Sequence, residues 1–257
     1  MKKPFILITN DDGIFAPGIR TLISAVSELG EIVVIAPSYP QSGMSHAVTL
    51  NEPIRVKQIA NNKGIIEYSC NGTPVDCIKI GLSSSILIKK PDIILSGINH
   101  GSNASINIIY SGTMAAVLEG AMNSIPSIGF SLDNYSHSID LSFTLPYIKK
   151  IVKKVLYNGL PKDVSLNINF PVIEPSAIKG IKVCRQAKAY WNESFEKRLD
   201  PHQEPYYWLT GTFVNNDDGK DTDYWALQNN YISITPVTFD FTAYKYLEII
   251  KNINFNV

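Results

Sequence analysis

Asp11 and Asp12 stand side by side in ILITNDDGIFAPG, residues 6–18, directly after an apolar run. Two carboxylates that converge on one point repel unless they share a proton or a cation. At neutral pH a divalent metal answers that repulsion best; a loop or helix-capping pair is the alternative. Neighbouring strand residues point to opposite faces, so both carboxylates meet only where the chain has left the strand, and Gly13 helps it leave. Two other loops add oxygen donors. APSYPQSGMSHAVTL, residues 36–50, offers Ser38, Ser42 and Ser45 beside Gly43, and GINHGSN, residues 97–103, offers Asn99, His100 and Asn103. Carboxylate, hydroxyl and amide oxygens select a hard ion such as Mg²⁺, Mn²⁺ or Ca²⁺. Ser111-Gly112-Thr113 opens a helical pattern. Backbone N–H groups and hydroxyls at a helix N-terminus suit a phosphate. A plain N-cap at Ser111 or Thr113 is the simpler reading, but it leaves the surrounding small residues unexplained.

NDDG occurs a second time, at Asn216–Gly219, between the strand-like runs WLTGTFV and YWALQNNYISITPV. A hairpin tip accounts for this copy. It is not an EF-hand loop, because placing Gly219 sixth puts Val214 first, where an acid is required.

The elements that must position these residues read as strands alternating with helices. FILIT at 5–9, EIVVIAP at 31–37, DIILS at 92–96 and SIGFS at 127–131 are short continuous apolar runs, the signature of strands buried on both faces. After Pro17, Ile19, Leu22, Ile23, Val26 and Leu29 recur at helical spacing, and Gly30 stops the helix. Thr73-Pro74 starts a second helix with Ile78, Leu82 and Ile86 inward. Residues 111–124 form a third, and a fourth carries Pro146 near its start with Ile148, Ile151, Val152 and Leu156 inward. VSLNINF at 164–170 alternates strictly and reads as a strand nearer an edge. The order predicts a doubly wound α/β sheet, whose ligand crevice lies beyond the carboxyl ends of the strands. Asp11, Asp12, Ser42, Asn99 and Ser111 all emerge on that edge.

After about residue 180 the texture changes. Tyr190, Trp191, Tyr206, Tyr207, Trp208, Tyr224 and Trp225 crowd a segment of about 184–235 that reads as a long hairpin arm. It is too apolar for a solvated flap, so it packs on another subunit or on its own core. FTAYKYLEII, residues 241–250, reads as a closing helix. No repeat or low-complexity linker divides the chain, which reads as a single domain over 1–257.

The chain has 257 residues, 45% hydrophobic, with 23 basic residues against 23 acidic. That balance argues against nucleic acid or a membrane surface as a stable partner, since both reward clustered positive charge. The lysine pairs 2–3, 89–90, 149–150 and 153–154 are scattered and solvate faces. Cys70, Cys77 and Cys184, with no CxxC, are neither a disulfide framework nor a zinc site and suit a reducing compartment. The apolar stretch after Lys2-Lys3 is too short for a signal peptide, and no window has the length of a membrane span. The expectation is a cytoplasmic protein.

NDDGIFAPGI, QSG at 41–43, NGTPVDC at 71–77, SGINHGSN at 96–103, YSGTMAAVLEG at 110–120 and SITPV at 233–237 follow one another in order. Together they resemble the survival protein SurE family. The resemblance implies a Rossmann-like, mostly parallel sheet with helices on both faces. It also implies a C-terminal β-hairpin arm used in oligomerisation, giving a homodimer or homotetramer. The implied activity is a divalent-metal-dependent phosphatase acting on nucleoside 5′- and 3′-monophosphates, with one Mg²⁺ or Mn²⁺ per subunit. Its metal ligands fall on Asp11, Asp12, Ser42 and Asn99, and its phosphate contacts on Asn99, Asn103, Ser111, Gly112 and Thr113. In such a site Asp11 or Asp12 orients the attacking water or takes its proton. His100 either protonates the leaving alcohol or only fixes its loop. A covalent aspartyl-phosphate ranks second, because a metal-bound aspartate is a poor nucleophile. No G-x-G-x-x-G follows the first strand and no P-loop lysine motif occurs, which argues against a dinucleotide oxidoreductase and an NTPase. A non-catalytic nucleotide-sensing module on the same fold is the remaining alternative.

Overall fold

Continuous apolar runs become central strands here because neighbours hydrogen-bond both edges and helices cover both faces. The computed structural model describes residues 3–62, 64–84, 86–136, 138–253 and 255; Lys2 of the first lysine pair lies outside them. In chain order the elements are β1 (Phe5–Thr9), α1 (Pro17–Val26), β2 (Glu31–Pro37), β3 (Val56–Asn62), β4 (Ile65–Cys70), α2 (Pro74–Ser83) and β5 (Ile93–His100). Then come α3 (Gly112–Met122), β6 (Ser127–Leu132), α4 (Leu145–Asn158), β7 (Val164–Phe170), β8 (Gly180–Val183), β9 (Ala189–Leu199), β10 (Pro205–Asn215), α5 (Asp223–Gln228), β11 (Tyr231–Thr238) and α6 (Leu247–Lys251).

A nine-stranded sheet runs β3-β4-β2-β1-β5-β6-β7-β11-β8, while β9 and β10 form a separate two-stranded ladder. Pairing from β4 through β7 is parallel, and β3 and β11 each add antiparallel to a neighbour. Alternate residues of β1 feed the two core layers. Ile6 and Ile8 pack with Leu22 of α1 and Val152 of α4. Phe5 and Leu7 pack on the other face with Ile78 of α2 and Ala116 of α3. Helices thus cover both faces, as the alternating pattern requires. α2 starts where the sequence says it should: Thr73 accepts from the Asp76 N–H, Asp76 accepts back from the Thr73 N–H, and Pro74 occupies the first turn.

The sheet departs from the sequence reading in several places. β7 is not near an edge, because β11 pairs along it in antiparallel register from Ser233–Asn169 to Thr238–Val164. Alternation within one strand does not reveal a partner that arrives 60-odd residues later. The hairpin β3–β4 falls in a stretch the pattern reading passed over. β5 runs on through the GINH stretch to His100, with a break in register between Ser96 and Asn99. The closing helix is shorter than expected, five residues after a 3₁₀ turn at Tyr244–Tyr246.

The second NDDG is not a hairpin tip. The arm is β9 paired with β10, and its tip is the turn at Asp200–Glu204, where the Asp200 N–H donates to the Glu204 carbonyl at 2.9 Å. NDDG lies at the arm's root, where Asp217 takes a bidentate pair from Arg185 at 2.6 and 2.9 Å. The YWALQ stretch that read as strand is the helix α5, capped by Thr222. The ladder itself therefore spans 189–215, and the rest of the expected arm returns to the main sheet as β11. No helix among the described residues is long and apolar enough to cross a membrane.

Candidate functional site

β1 delivers Asn10–Gly13 to the carboxyl edge of the sheet. The Asn10 amide donates to the Gly13 carbonyl at 2.9 Å, and Gly13 turns with a φ of +101°, a value that favours glycine. The two carboxylates then reach different partners. Asp11, 3% exposed, accepts a short hydrogen bond from the Thr113 hydroxyl at the start of α3. Asp12, its side chain 8% exposed, accepts from the His100 backbone N–H at 3.1 Å and faces His100 Nδ1 at 3.2 Å. Burial pushes the Asp11 carboxyl up to about 6, and the charge of Asp12 adds to that push while the Thr113 hydrogen bond opposes it.

The N-terminus of α3 presses on Asp11. Ser111 caps the helix, accepting from the Met114 N–H at 3.0 Å. A Cβ on Gly112 would meet the Asp11 Cβ at 2.9 Å and Pro74 Cγ at 3.3 Å. The run of small residues after Ser111 therefore lets the helix end approach the carboxylate.

The loop after β2 carries Ser42 over this edge and is tied down at both ends. The Gln41 N–H donates to the Asp11 carbonyl at 2.7 Å, the Ser45 hydroxyl to the Ile109 carbonyl at 2.7 Å, and the Thr49 hydroxyl to Asp76 at 2.6 Å. Beyond β5, the Asn99 amide nitrogen donates to the Gly101 carbonyl at 2.7 Å, which leaves its oxygen as an acceptor. Asn103 is held in a buried amide network. Its N–H donates to Asn169 at 2.8 Å, its side chain to Ser131 at 2.8 Å, and its carbonyl accepts from Asn167 at 2.7 Å.

One cleft of about 270 Å³ gathers Asp11, Ser42, Asn99, His100, Asn103 and Ser111. Asp12 stands behind this lining and is joined to it through His100. Gly112 and Thr113 support the wall rather than line it; Thr113 is fully buried with its hydroxyl on Asp11. The site's other lining includes Asn107, Tyr110, Tyr135 and Trp191, which sequence reasoning did not select. The Trp191 indole N–H donates to Asn107 at 2.8 Å, so the first residues of β9 reach the cleft. Asn167 and Asn169 did carry a signal: two amides, two residues apart, on one face of an otherwise apolar strand. A larger groove of about 740 Å³ lies between α3 and β11 and is mostly apolar, without the paired carboxylates that suit chemistry.

The arrangement can hold a hard cation beside a tetrahedral anion. Two buried carboxylates face hydroxyl and amide oxygens and the N-terminus of a helix. Comparison with known proteins agrees in extent and order. The family model described as Survival protein SurE matches residues 6–193. A protein of Flavobacterium psychrophilum named 5′-nucleotidase SurE is 55% identical over 257 residues, covering all of both chains. One of Christiangramia forsetii with the same name is 53% identical over 99% of this chain and 98% of its own. The crystal structure of the SurE protein from Aquifex aeolicus superposes with a TM-score of 0.82 at 41% identity, covering 96% of this chain and 98% of that one. With the family model spanning most of its length and relatives matching it end to end, the chain belongs to the survival protein SurE family.

Proposed function

We propose that the protein is a divalent-metal-dependent nucleotidase, a phosphomonoesterase that hydrolyses nucleoside 5′- and 3′-monophosphates. The observation that carries this reading is the pair Asp11 and Asp12. Asp11 is buried and the Asp12 side chain is 8% exposed, both at the carboxyl edge of a parallel sheet beside the N-terminus of α3, and among the described residues neither is paired with a lysine or arginine. Such a site has unbalanced negative charge and all-oxygen donors, which fits one Mg²⁺ or Mn²⁺ per subunit held by Asp11, Asp12, Ser42 and Asn99. When bound there, a divalent cation polarises a phosphoryl oxygen and lowers the pKa of a coordinated water.

The chain's own groups supply the rest. The N-terminus of α3 and the Ser111 hydroxyl receive phosphate oxygens, with the helix field favouring their charge. Asn103 and Asn99 close the anion site from the other side, and Gly112 admits the close approach. Asp11 or Asp12 orients the attacking water and takes its proton. His100, which lines the cleft and faces Asp12, is the candidate general acid for the leaving alkoxide, the alternative being that it only fixes its loop. Tyr110, Tyr135 and Trp191 offer aromatic faces at the cleft for the nucleobase.

Phosphate release from a panel of nucleoside monophosphates tests this directly. Turnover should vanish in EDTA and return with Mn²⁺ or Mg²⁺. Undiminished turnover after exhaustive chelation contradicts it. Tight nucleotide binding with no phosphate released from any substrate supports the sensing module instead.

We also propose that the arm and the C-terminal segment hold subunits together in a homodimer or homotetramer. Trp208 on β10 is 57% exposed and Leu209 is 60% exposed, and Leu247, Ile249 and Ile250 of α6 are exposed as well. Light scattering should report an oligomer at micromolar concentration; a stable monomer overturns this reading. A cytoplasmic location suits the three buried free thiols.

A further inference from the structure

Asp223 is fully buried, and its carboxylate accepts from three backbone N–H groups rather than from a lysine or arginine among the described residues. One oxygen, Oδ1, accepts from Ala187 at 2.9 Å and from Tyr224 at 2.8 Å. The other, Oδ2, accepts from Ser105 at 2.9 Å. The Ser105 hydroxyl closes the ring by donating to the Ala187 carbonyl at 2.9 Å. Three segments far apart in sequence thus meet on one carboxylate. Charge-assisted bonds of this kind are the strong ones, and leaving one of their partners unmet in the interior is expensive.

What Ser105 belongs to gives the knot its meaning. Ser105 adopts a φ of +56°, the left-handed region that a non-glycine residue occupies only when its surroundings hold it there. It sits between Asn103 and Ser111, the two sides of the anion site. Within that span Asn107 donates to the Ser102 carbonyl at 3.0 Å and receives the Trp191 indole. Ile109 and Tyr110 accept from Ser45 of the loop that carries Ser42. Ala187, the knot's other anchor, precedes β9 and so fixes the root of the arm.

We propose that Asp223 is a positioning residue for the substrate site. It pins the middle of the 103–111 span, so that Asn103, Tyr110 and Ser111 keep their spacing across the cleft, and it locks the arm's root to that span. The inference rests on the nucleotidase reading and adds to it a determinant on α5 that touches neither substrate nor cation.

Asp223→Asn isolates one strand of the knot. The asparagine oxygen still serves Ala187 and Tyr224, but its NH₂ faces the Ser105 N–H, donor against donor. The KM for AMP should rise about 10-fold, the weight of one charge-assisted bond, while kcat stays within about 3-fold of the wild type. Ser105→Gly accepts the φ of +56° without strain and loses only the hydroxyl bond, so it folds and should raise KM about 3-fold. Leu227→Ala, also on α5 but outside the knot, should lower Tm and leave KM unmoved. An unchanged KM in both Asp223→Asn and Ser105→Gly overturns the proposal. So does a KM in Leu227→Ala that rises as far as theirs, because loosening α5 alone then suffices. If the wild type hydrolyses no nucleotide, the nucleotidase reading fails and this inference falls with it; active wild type with unmoved variants sinks this inference alone.

Discussion

Asp12→Asn should cut kcat by about 10³-fold, roughly 4 kcal/mol of transition-state stabilisation, the scale of an essential electrostatic group. The fold should survive, because the amide is close to isosteric and its oxygen still accepts from the His100 N–H that now reaches Asp12 at 3.1 Å. What the substitution removes is the negative charge that faces His100 Nδ1 at 3.2 Å and that the proposed cation requires. His100→Gln separates those two roles. It should cost about 10²-fold in kcat, the low end for a lost general acid, while leaving the affinity for Mn²⁺ close to that of the wild type. Steady-state kinetics with saturating Mn²⁺, paired with circular dichroism, decides the matter. A folded Asp12→Asn protein within 10-fold of wild-type kcat would mean that the pair is structural and the proposed chemistry misplaced.

In metal-free buffer Asp11→Asn should be more stable than the wild type at pH 8 and no more stable at pH 4. Burial and the neighbouring Asp12 raise the Asp11 carboxyl from its ordinary 3.8 to about 6. The folded state therefore holds that proton more tightly than the unfolded chain does. The stabilisation is fully present below about pH 4, drains away as pH rises through 6, and is gone by pH 8. A gap of about two units corresponds to roughly 3 kcal/mol, or about 5–10 °C in Tm for a chain of this size. Asparagine carries no charge at any pH and escapes the loss. Saturating Mn²⁺ should reverse the order at pH 8, because a ligand stabilises only the state that binds it and the variant binds it poorly. Chemical denaturation in EDTA at the two pH values, then with Mn²⁺, measures all of this. A variant that is less stable than the wild type at pH 8 without metal would show that the Thr113–Asp11 bond matters more to the fold than the repulsion between the carboxylates.

The site's carboxylates were legible because their signal is local: an apolar strand, two acids, a glycine and a helix, all within residues 5–26. β2 is read to the residue for the same reason, and Thr73-Pro74 marks the start of α2 without help from the rest of the chain. What escaped depends on partners distant in sequence. Nothing in the second NDDG announces Arg185, 32 residues earlier, as its ion-pair partner, and the turn chemistry at Asn216–Gly219 suits an arm's root as well as its tip. The YWALQ stretch has the aromatic content of a strand, but Thr222 and the buried Asp223 make it a helix start. Tyr135 and Trp191 reach the cleft only because β6 ends and β9 begins there, and no spacing rule links either residue to Asp11.

Phe5 and Leu7 serve one core layer and Ile6 and Ile8 the other, and just past β1, where the chain bends, the two carboxylates part towards different partners. Asp11 meets Thr113 of α3, on the side of Phe5 and Leu7, whereas Asp12 meets His100 at the end of β5. The strand therefore works like a key cut with a fixed phase. Deleting one residue within β1 exchanges the faces of the strand residues on one side of the cut, sending apolar side chains to the wrong layers, and it shortens the reach to the bend that carries both acids. Packing and chemistry thus hang on one strand, and a length change here cannot disturb one and spare the other.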